Sequence, residues 1–424
     1  MSAGDEFEVR LGAPGHGGFC VGRHEGRVVF VRHGLPGELV RARVTEDRGG
    51  SFARADAVEI LEGAAGRVRA TCPVSGPGGA GCCDLTHATP ALQRELKASV
   101  VAEQLRRIAL LEREVTVEPL GPPAETGGWR TRVRLVVDAA GRAGVHGHRS
   151  AEIVPDLRCP QPVAGAVDGL EQERFTPGAD LVIAVDSAGT RHVVELAPPA
   201  PVAAAGGRRR RAEQSRRNAA ARRTAAHAHR ATRLLDGDGT AVQRVRERRW
   251  ELPATAFWQA HRAAPEYYSD RVAEWAGQAP GQRAWDLYSG AGVFAARLAE
   301  QVGPGGAVHA VESAPGPVAA GRAALADLPW VDLEVLRVDQ WFAARPPRPD
   351  VVVLDPPRSG AGREVVGALT AAGPARIVHI GCDPAAFARD VGLYREAGYE
   401  LTELRAVDAF PGTHHVECLA LLER

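Results

Sequence analysis

From Glu6 to about Ile60 the chain sets short apolar runs between Gly- and Pro-bearing breaks: Phe7 to Leu11, Arg27 to Val31, Leu39 to Val44 and Ala53 to Ile60. Runs of this length, rich in Val and Ala and separated by turn residues, predict strands of a small OB-like β-barrel over residues 1–62. The period then lengthens. Pro90 to Leu111 reads as an amphipathic helix, and Trp129 to Asp138 and Asp180 to Val185 read as strands, giving a middle α+β domain over 63–250. From residue 251 to the end, apolar strand-length runs alternate with helical stretches: Arg283 to Leu287, Ala307 to Val311, Leu333 to Arg337, Val351 to Leu354, Arg376 to Ile380 and Glu417 to Leu422. That alternation predicts a doubly wound, Rossmann-like α/β sheet.

Composition adds limits. No apolar run approaches the roughly 20 residues of a membrane span, and MSAGDEFEVR lacks the basic-then-apolar order of an export signal. The expectation is therefore a cytoplasmic protein with no membrane partner, monomeric by default. The 52 basic and 52 acidic residues balance, so any nucleic-acid footprint must be local. One candidate is the stretch from Gly206 to Arg249, with fourteen Arg against four acids; it reads equally well as a basic arm on RNA phosphates or as a solvated insertion. Seven Cys in a cytosolic chain point to metal or catalytic roles rather than a disulfide framework.

Two constellations sit at predicted strand ends. Asp286-Leu287-Tyr288-Ser289-Gly290-Ala291-Gly292 leaves a strand, turns through two glycines and opens a helix. Gly290 and Gly292 let the backbone approach a ligand closely, and Glu312, at the end of the next strand, is placed to bond a ribose hydroxyl pair. The turn lacks the third glycine of a dinucleotide fingerprint, which favours S-adenosylmethionine, a cofactor with no pyrophosphate. Further on, Val351 to Leu354 delivers Asp355-Pro356-Pro357-Arg358 to the same sheet edge, and the next strand delivers Gly381-Cys382-Asp383-Pro384. A thiol flanked by Gly, Asp and Pro at a ligand-binding edge suits a nucleophile that adds to carbon 6 of uracil and so activates carbon 5. Glu417 is the candidate base for the carbon 5 proton.

The chain resembles the bacterial 23S rRNA and tRNA uracil-5 methyltransferases that carry an N-terminal TRAM domain. The resemblance rests on Gly17-Gly18, Leu35-Pro36-Gly37-Glu38, Phe257-Trp258-Gln259, Asp286-Leu287-Tyr288, Asp355-Pro356-Pro357-Arg358, Cys382-Asp383-Pro384 with Ala388-Arg389-Asp390, and His415-Val416-Glu417. It implies that Gln259, Tyr288, Glu312 and Asp355 contact S-adenosylmethionine, that Cys382 is the nucleophile and Glu417 the base, and that the partner is RNA, ribosomal in preference to transfer RNA. Many family members also hold a [4Fe-4S] cluster on four cysteines. Here Cys72, Cys83 and Cys159 fall at ligand positions, but Ala80 stands at the second and Cys82 replaces the usual Gly before Cys83. A cluster that uses Cys82, a cluster with a non-cysteine ligand, and no cluster all remain open, and the three retained positions favour a cluster. Cys20 and Cys418 read as core thiols. Two other functions compete: an amino-group methyltransferase, which would need no thiol, and a non-catalytic RNA-binding protein, which would need no cofactor pocket.

Overall fold

The computed structural model describes residues 1–122, 127–200, 230–344 and 347–424. The first six strands form one sheet in the order Glu6–Arg10, Leu39–Asp47, Phe52–Glu62, Arg27–Arg32, Phe19–His24, Pro14–Gly15. It closes on itself where Gly12 N–H donates to Val21 O and Val21 N–H to Ala13 O. Alternate side chains, among them Val9, Val29, Val31, Val40, Ala42 and Ala55, fill the barrel interior.

Residues 63–89 contain neither helix nor a named strand and lead to the helix Pro90–Ile108, which starts where Thr89 Oγ1 accepts the Leu92 N–H. Its buried positions Gln93, Leu96, Lys97, Val101 and Leu105 recur at helical spacing and make one face. That face does not belong to a separate middle domain. Val101, Leu105, Ala109 and Val117 share a core with residues of the C-terminal sheet, and Val117–Pro119 joins that sheet parallel to Glu400–Asp408. The middle region proper is an antiparallel sheet in the order Ile153–Val154, Ala143–His146, Arg132–Val137, Asp180–Val185, Arg191–Leu196, Thr232–Asp236, followed by the hairpin of Thr240–Val245 and Arg248–Pro253.

The C-terminal sheet has eight strands, in the order Val331–Val335, Ala307–Glu312, Arg283–Leu287, Val351–Leu354, Arg376–Gly381, Glu417–Glu423, Glu400–Asp408, Val117–Pro119. The first five run parallel, and Glu417–Glu423 is antiparallel to both its neighbours. Chain order reverses between Arg283–Leu287 and Val351–Leu354, so the loops leaving those two strands diverge and open a crevice at their carboxyl ends.

The arginine-dense run 208–223 lies outside the described residues. Of the arginines that follow it, Arg230 pairs with Asp180, Arg233 with Glu195, Arg246 with Asp270, Arg248 with Asp327 and Arg249 with Glu251, so these five bind acids of their own chain. Among the described residues no helix is long and apolar enough to cross a membrane.

Candidate active site

The crevice is a cavity of about 1070 Å³. One wall is the glycine turn after Arg283–Leu287. Tyr288 holds a left-handed φ of 60°, an unusual conformation for a residue with a Cβ. Asp286 Oδ2 accepts the Ala295 N–H at 2.8 Å and so fixes the following helix, Val293–Val302, to the strand end. Glu312 reaches back from the neighbouring strand; its carboxylate accepts from Gly290 N–H at 3.2 Å, Ala314 N–H at 2.8 Å and Ser313 Oγ at 3.0 Å. Tyr288, Gly290 and Glu312 line the cavity together with the apolar Val293, Phe294, Pro317 and Val338. Gly292, expected at the cofactor, is not among the lining residues. It caps the helix with φ 73°, and a Cβ there would stand 2.8 Å from Leu333 Cδ1, so the glycine serves packing.

The opposite wall carries the reactive groups. Asp355 follows Val351–Leu354, and Gln259 Nε2 donates to its Oδ2 at 3.4 Å. Cys382 follows Arg376–Gly381; the next residue, Asp383, caps the helix Pro384–Glu396 by accepting the Ala385 and Ala386 N–H groups at 3.1 and 2.9 Å. Glu417 opens the last full strand, buried to 5% exposure. Gln259, Asp355, Cys382 and Glu417 all line the one cavity. Burial lifts the Asp355 carboxyl to about 7. Glu417 is raised well above the usual range by burial and by Asp355, against the pull of Arg358. Burial and then the charges of Glu417 and Asp355 push the Cys382 thiol to about 12, again opposed by Arg358. All three shifts favour the uncharged forms.

Two further lining residues, Arg130 and Tyr268, carry no distinctive sequence signal, and a third, Phe257, enters the sequence reading only as part of a family phrase. Phe257, 68% exposed, stands at the mouth with its ring free to solvent. Arg130 reaches the cavity from the middle region. Tyr268 is 1% exposed, and its hydroxyl has no hydrogen-bond partner although it shares the cavity with Cys382 and Glu417. In the sequence it is one more aromatic on an amphipathic helix.

The four cysteines of the 72–159 region gather away from this cavity. The Sγ atoms of Cys72, Cys83 and Cys159 lie within 4.8 Å of one another, and the exposed Cys82 places its Sγ 3.9 Å from that of Cys83. Ala80, at the second ligand position of the expected pattern, is 1% exposed and shares a small buried cluster with Cys72, Val74 and Cys83. A [4Fe-4S] cube seats each thiolate on a different iron, which sets the sulfurs further apart than ligands of one ion; this grouping does not fit it.

The profile of the TRAM domain matches residues 2–58, and that of the tRNA (Uracil-5-)-methyltransferase family matches residues 348–424. An uncharacterized RNA methyltransferase of Corynebacterium glutamicum is 40% identical over 436 residues, covering 100% of this chain and 98% of its own. A 23S rRNA (uracil(1939)-C(5))-methyltransferase of Alkalilimnicola ehrlichii is 33% identical over 467 residues, covering 99% of this chain and 97% of its own. In fold, the chain is similar to Pyrococcus abyssi tRNA (uracil-54, C5)-methyltransferase, solved in complex with S-adenosyl-L-homocysteine, with a TM-score of 0.67 at 20% identity over 98% of this chain and 99% of that one.

Proposed function

The chain belongs to the TRAM-domain family of S-adenosylmethionine-dependent RNA (uracil-5-)-methyltransferases, and from that premise we propose that it methylates a ribosomal RNA uridine through a covalent bond between Cys382 and carbon 6 of the base. The observation that carries this reading is the convergence of a thiol and a buried carboxyl, Cys382 and Glu417, on the cavity that also holds the glycine turn and Glu312. An amino-group methyltransferase has no use for such a thiol. Identity of 33% along nearly the whole chain to a relative named for 23S rRNA supports a ribosomal substrate.

The residues fit the cofactor: Glu312 offers a carboxylate at the strand end, Gly290 permits close approach, and Tyr288, Gln259 and Asp355 complete its walls. When bound, S-adenosylmethionine supplies a sulfonium cation and the methyl group that carbon 5 takes up. Cys382 first loses its proton to solvent, with Arg358 as the chain's own cation favouring the thiolate. The thiolate then forms a bond to carbon 6, and the electron pair of the 5,6 double bond moves to carbon 5 and its neighbouring carbonyl oxygen. After carbon 5 is methylated, Glu417 removes its remaining proton, the double bond re-forms and the carbon–sulfur bond breaks, restoring the thiolate. Glu417 acts in this step as the carboxylate, having given up its own proton beforehand, and burial makes that carboxylate the stronger base. The exposed ring of Phe257 offers a stacking face to a base drawn out of its helix.

RNA containing 5-fluorouracil tests the chemistry, because fluorine cannot leave carbon 5 as a cation. With S-adenosylmethionine present, a denaturation-resistant protein–RNA adduct should accumulate on 23S rRNA, vanish in Cys382→Ala, and form with ordinary RNA in Glu417→Gln. An adduct on transfer RNA alone overturns the ribosomal assignment. Absence of any adduct in a protein that binds the cofactor overturns the covalent mechanism and returns the amino-group reading.

A further inference from the structure

The thiols of Cys72, Cys82, Cys83 and Cys159 have no part in this reaction, and their geometry carries a different inference. We infer that they form a site for a single zinc ion that staples residues 63–89 to the middle sheet. Four thiolates around one tetrahedral ion at about 2.3 Å stand roughly 3.8 Å apart. Three Sγ atoms, those of Cys72, Cys83 and Cys159, lie mutually within 4.8 Å; the exposed Cys82 Sγ lies 3.9 Å from Cys83 Sγ but outside that trio, and a turn of its side chain brings it in as the fourth ligand. Adjacent residues can both reach a single ion, whereas two corners of an iron–sulfur cube are hard to reach from one dipeptide. Ala80 belongs to the same buried cluster as Cys72 and Cys83 and offers no ligand atom, which leaves Cys82, on the solvent side, as the fourth thiol.

The surroundings suit a closed, thiolate-rich ion. Gln161 Nε2 donates to Cys83 Sγ at 3.3 Å, while its Oε1 accepts from Arg130 Nη1 at 3.1 Å. This gives the sulfur a hydrogen bond and sets a guanidinium beside a site of net negative charge. Arg130 stands within electrostatic range of Cys82, Cys83 and Cys159. Local structure gives the ion something to hold. The segment 63–89 has no helix and, towards the middle sheet, the isolated bridge of Ala80 with Gly147, and Cys159 lies in the irregular stretch after Ile153–Val154. Cross-linking two irregular segments is what a structural zinc does. The chain Cys83–Gln161–Arg130 then ties the ion to the wall of the active-site cavity.

The full-length protein, produced with both iron and zinc in the medium and purified without oxygen, should carry close to stoichiometric zinc, little iron and no acid-labile sulfide. Cobalt(II) added to the metal-free protein should give the intense thiolate-to-metal absorption and visible bands of a tetrahedral sulfur site. Loss of Cys83 or Cys72 could unfold the region, so the exposed ligand is the decisive variant. Cys82→Ser should stay folded by circular dichroism and lose zinc to a chelator faster by on the order of tenfold or more. Bound iron with or without sulfide, a protein that stays metal-free when offered zinc, or a Cys82→Ser protein that retains zinc as well as the parent, each overturns the assignment.

Discussion

Asp286 and Glu312 stand at the ends of adjacent strands yet live in opposite environments. Glu312 has three donors around it, whereas Asp286 is 0% exposed, accepts only the Ala295 N–H and leaves Oδ1 without a partner. Burial therefore lifts Asp286 to about 8, against the Ala295 N–H and with help from Asp355 and Glu312. A carboxyl raised above its unfolded value stabilises the fold fully below about pH 4, and that contribution is lost as the pH climbs towards about 8. Asp286→Asn should thus gain on the parent between pH 5 and pH 8, by on the order of 4 kcal/mol at about 1.4 kcal/mol per pH unit. Urea unfolding at the two pH values reads the difference, and parallel behaviour would mean that Asp286 is ionised in the fold. At this scale the sequence was most informative where flanking residues were odd: Cys382 between Gly and Asp, or Glu312 directly after an apolar strand. Tyr268 was illegible because a Tyr on an amphipathic helix looks the same whether its hydroxyl meets a core or a cavity. At Gly292 the sequence could not separate two demands, since φ and Leu333 require a glycine there whether or not a ligand does.

Among the elements, the helix Pro90–Ile108 is the one whose allegiance the pattern could not disclose, since an apolar face does not say which sheet will cover it. The chain's single lysine, Lys97, sits on that face at 2% exposure and donates to Asp408 Oδ1 at 2.5 Å and to the Phe410 carbonyl at 3.1 Å. In a protein that otherwise uses arginine, a slender ammonium fits where a planar guanidinium would not. Lys97→Met should cost about 3–5 kcal/mol, because Asp408 is left buried and unpaired. A urea midpoint equal to that of the parent would contradict this. The strand Glu400–Asp408, which ends at that aspartate, also escaped the sequence reading. A bulge between Leu401 and Glu403 breaks its alternation, so Leu401 and Leu404 fall out of the period that marks a strand. The central parallel strand Val351–Leu354 was legible because burial on both faces makes it a continuous apolar run, whereas the edge strand Val331–Val335 alternates with acids and lies two residues before the expected Leu333 to Arg337.

Over the whole molecule, the N-terminal barrel is built into the loops next to Cys382 and Glu417. His16 Nε2 lies 3.1 Å from Asp383 Oδ2, one residue from Cys382. Arg32 Nη2 donates to Asp84 Oδ1 at 2.7 Å, and the other oxygen of Asp84 lies 2.5 Å from His414 Nδ1, three residues before Glu417. Burial alone would raise the Asp84 carboxyl, but His414 and Arg32 bring it down to about 2. Gly18 makes room for this joint, since a Cβ there would stand 2.6 Å from Asp84 Cβ. Breaking it should disturb chemistry as well as RNA affinity. Asp84→Asn is expected to slow single-turnover methylation by on the order of tenfold on a short RNA hairpin and on long rRNA alike. A loss confined to long RNA would reduce the barrel to a grip. The joint also governs how such enzymes can be recombined. Arg32 and Asp84 lie on opposite sides of the span from residue 33 to 83, where an N-terminal module would naturally be cut and exchanged. A chimera made there inherits one half of the catalytic buttress from each parent, so grafting succeeds only when the donor barrel brings partners for Asp84 and Asp383, and the family's parts are less interchangeable than their boundaries suggest.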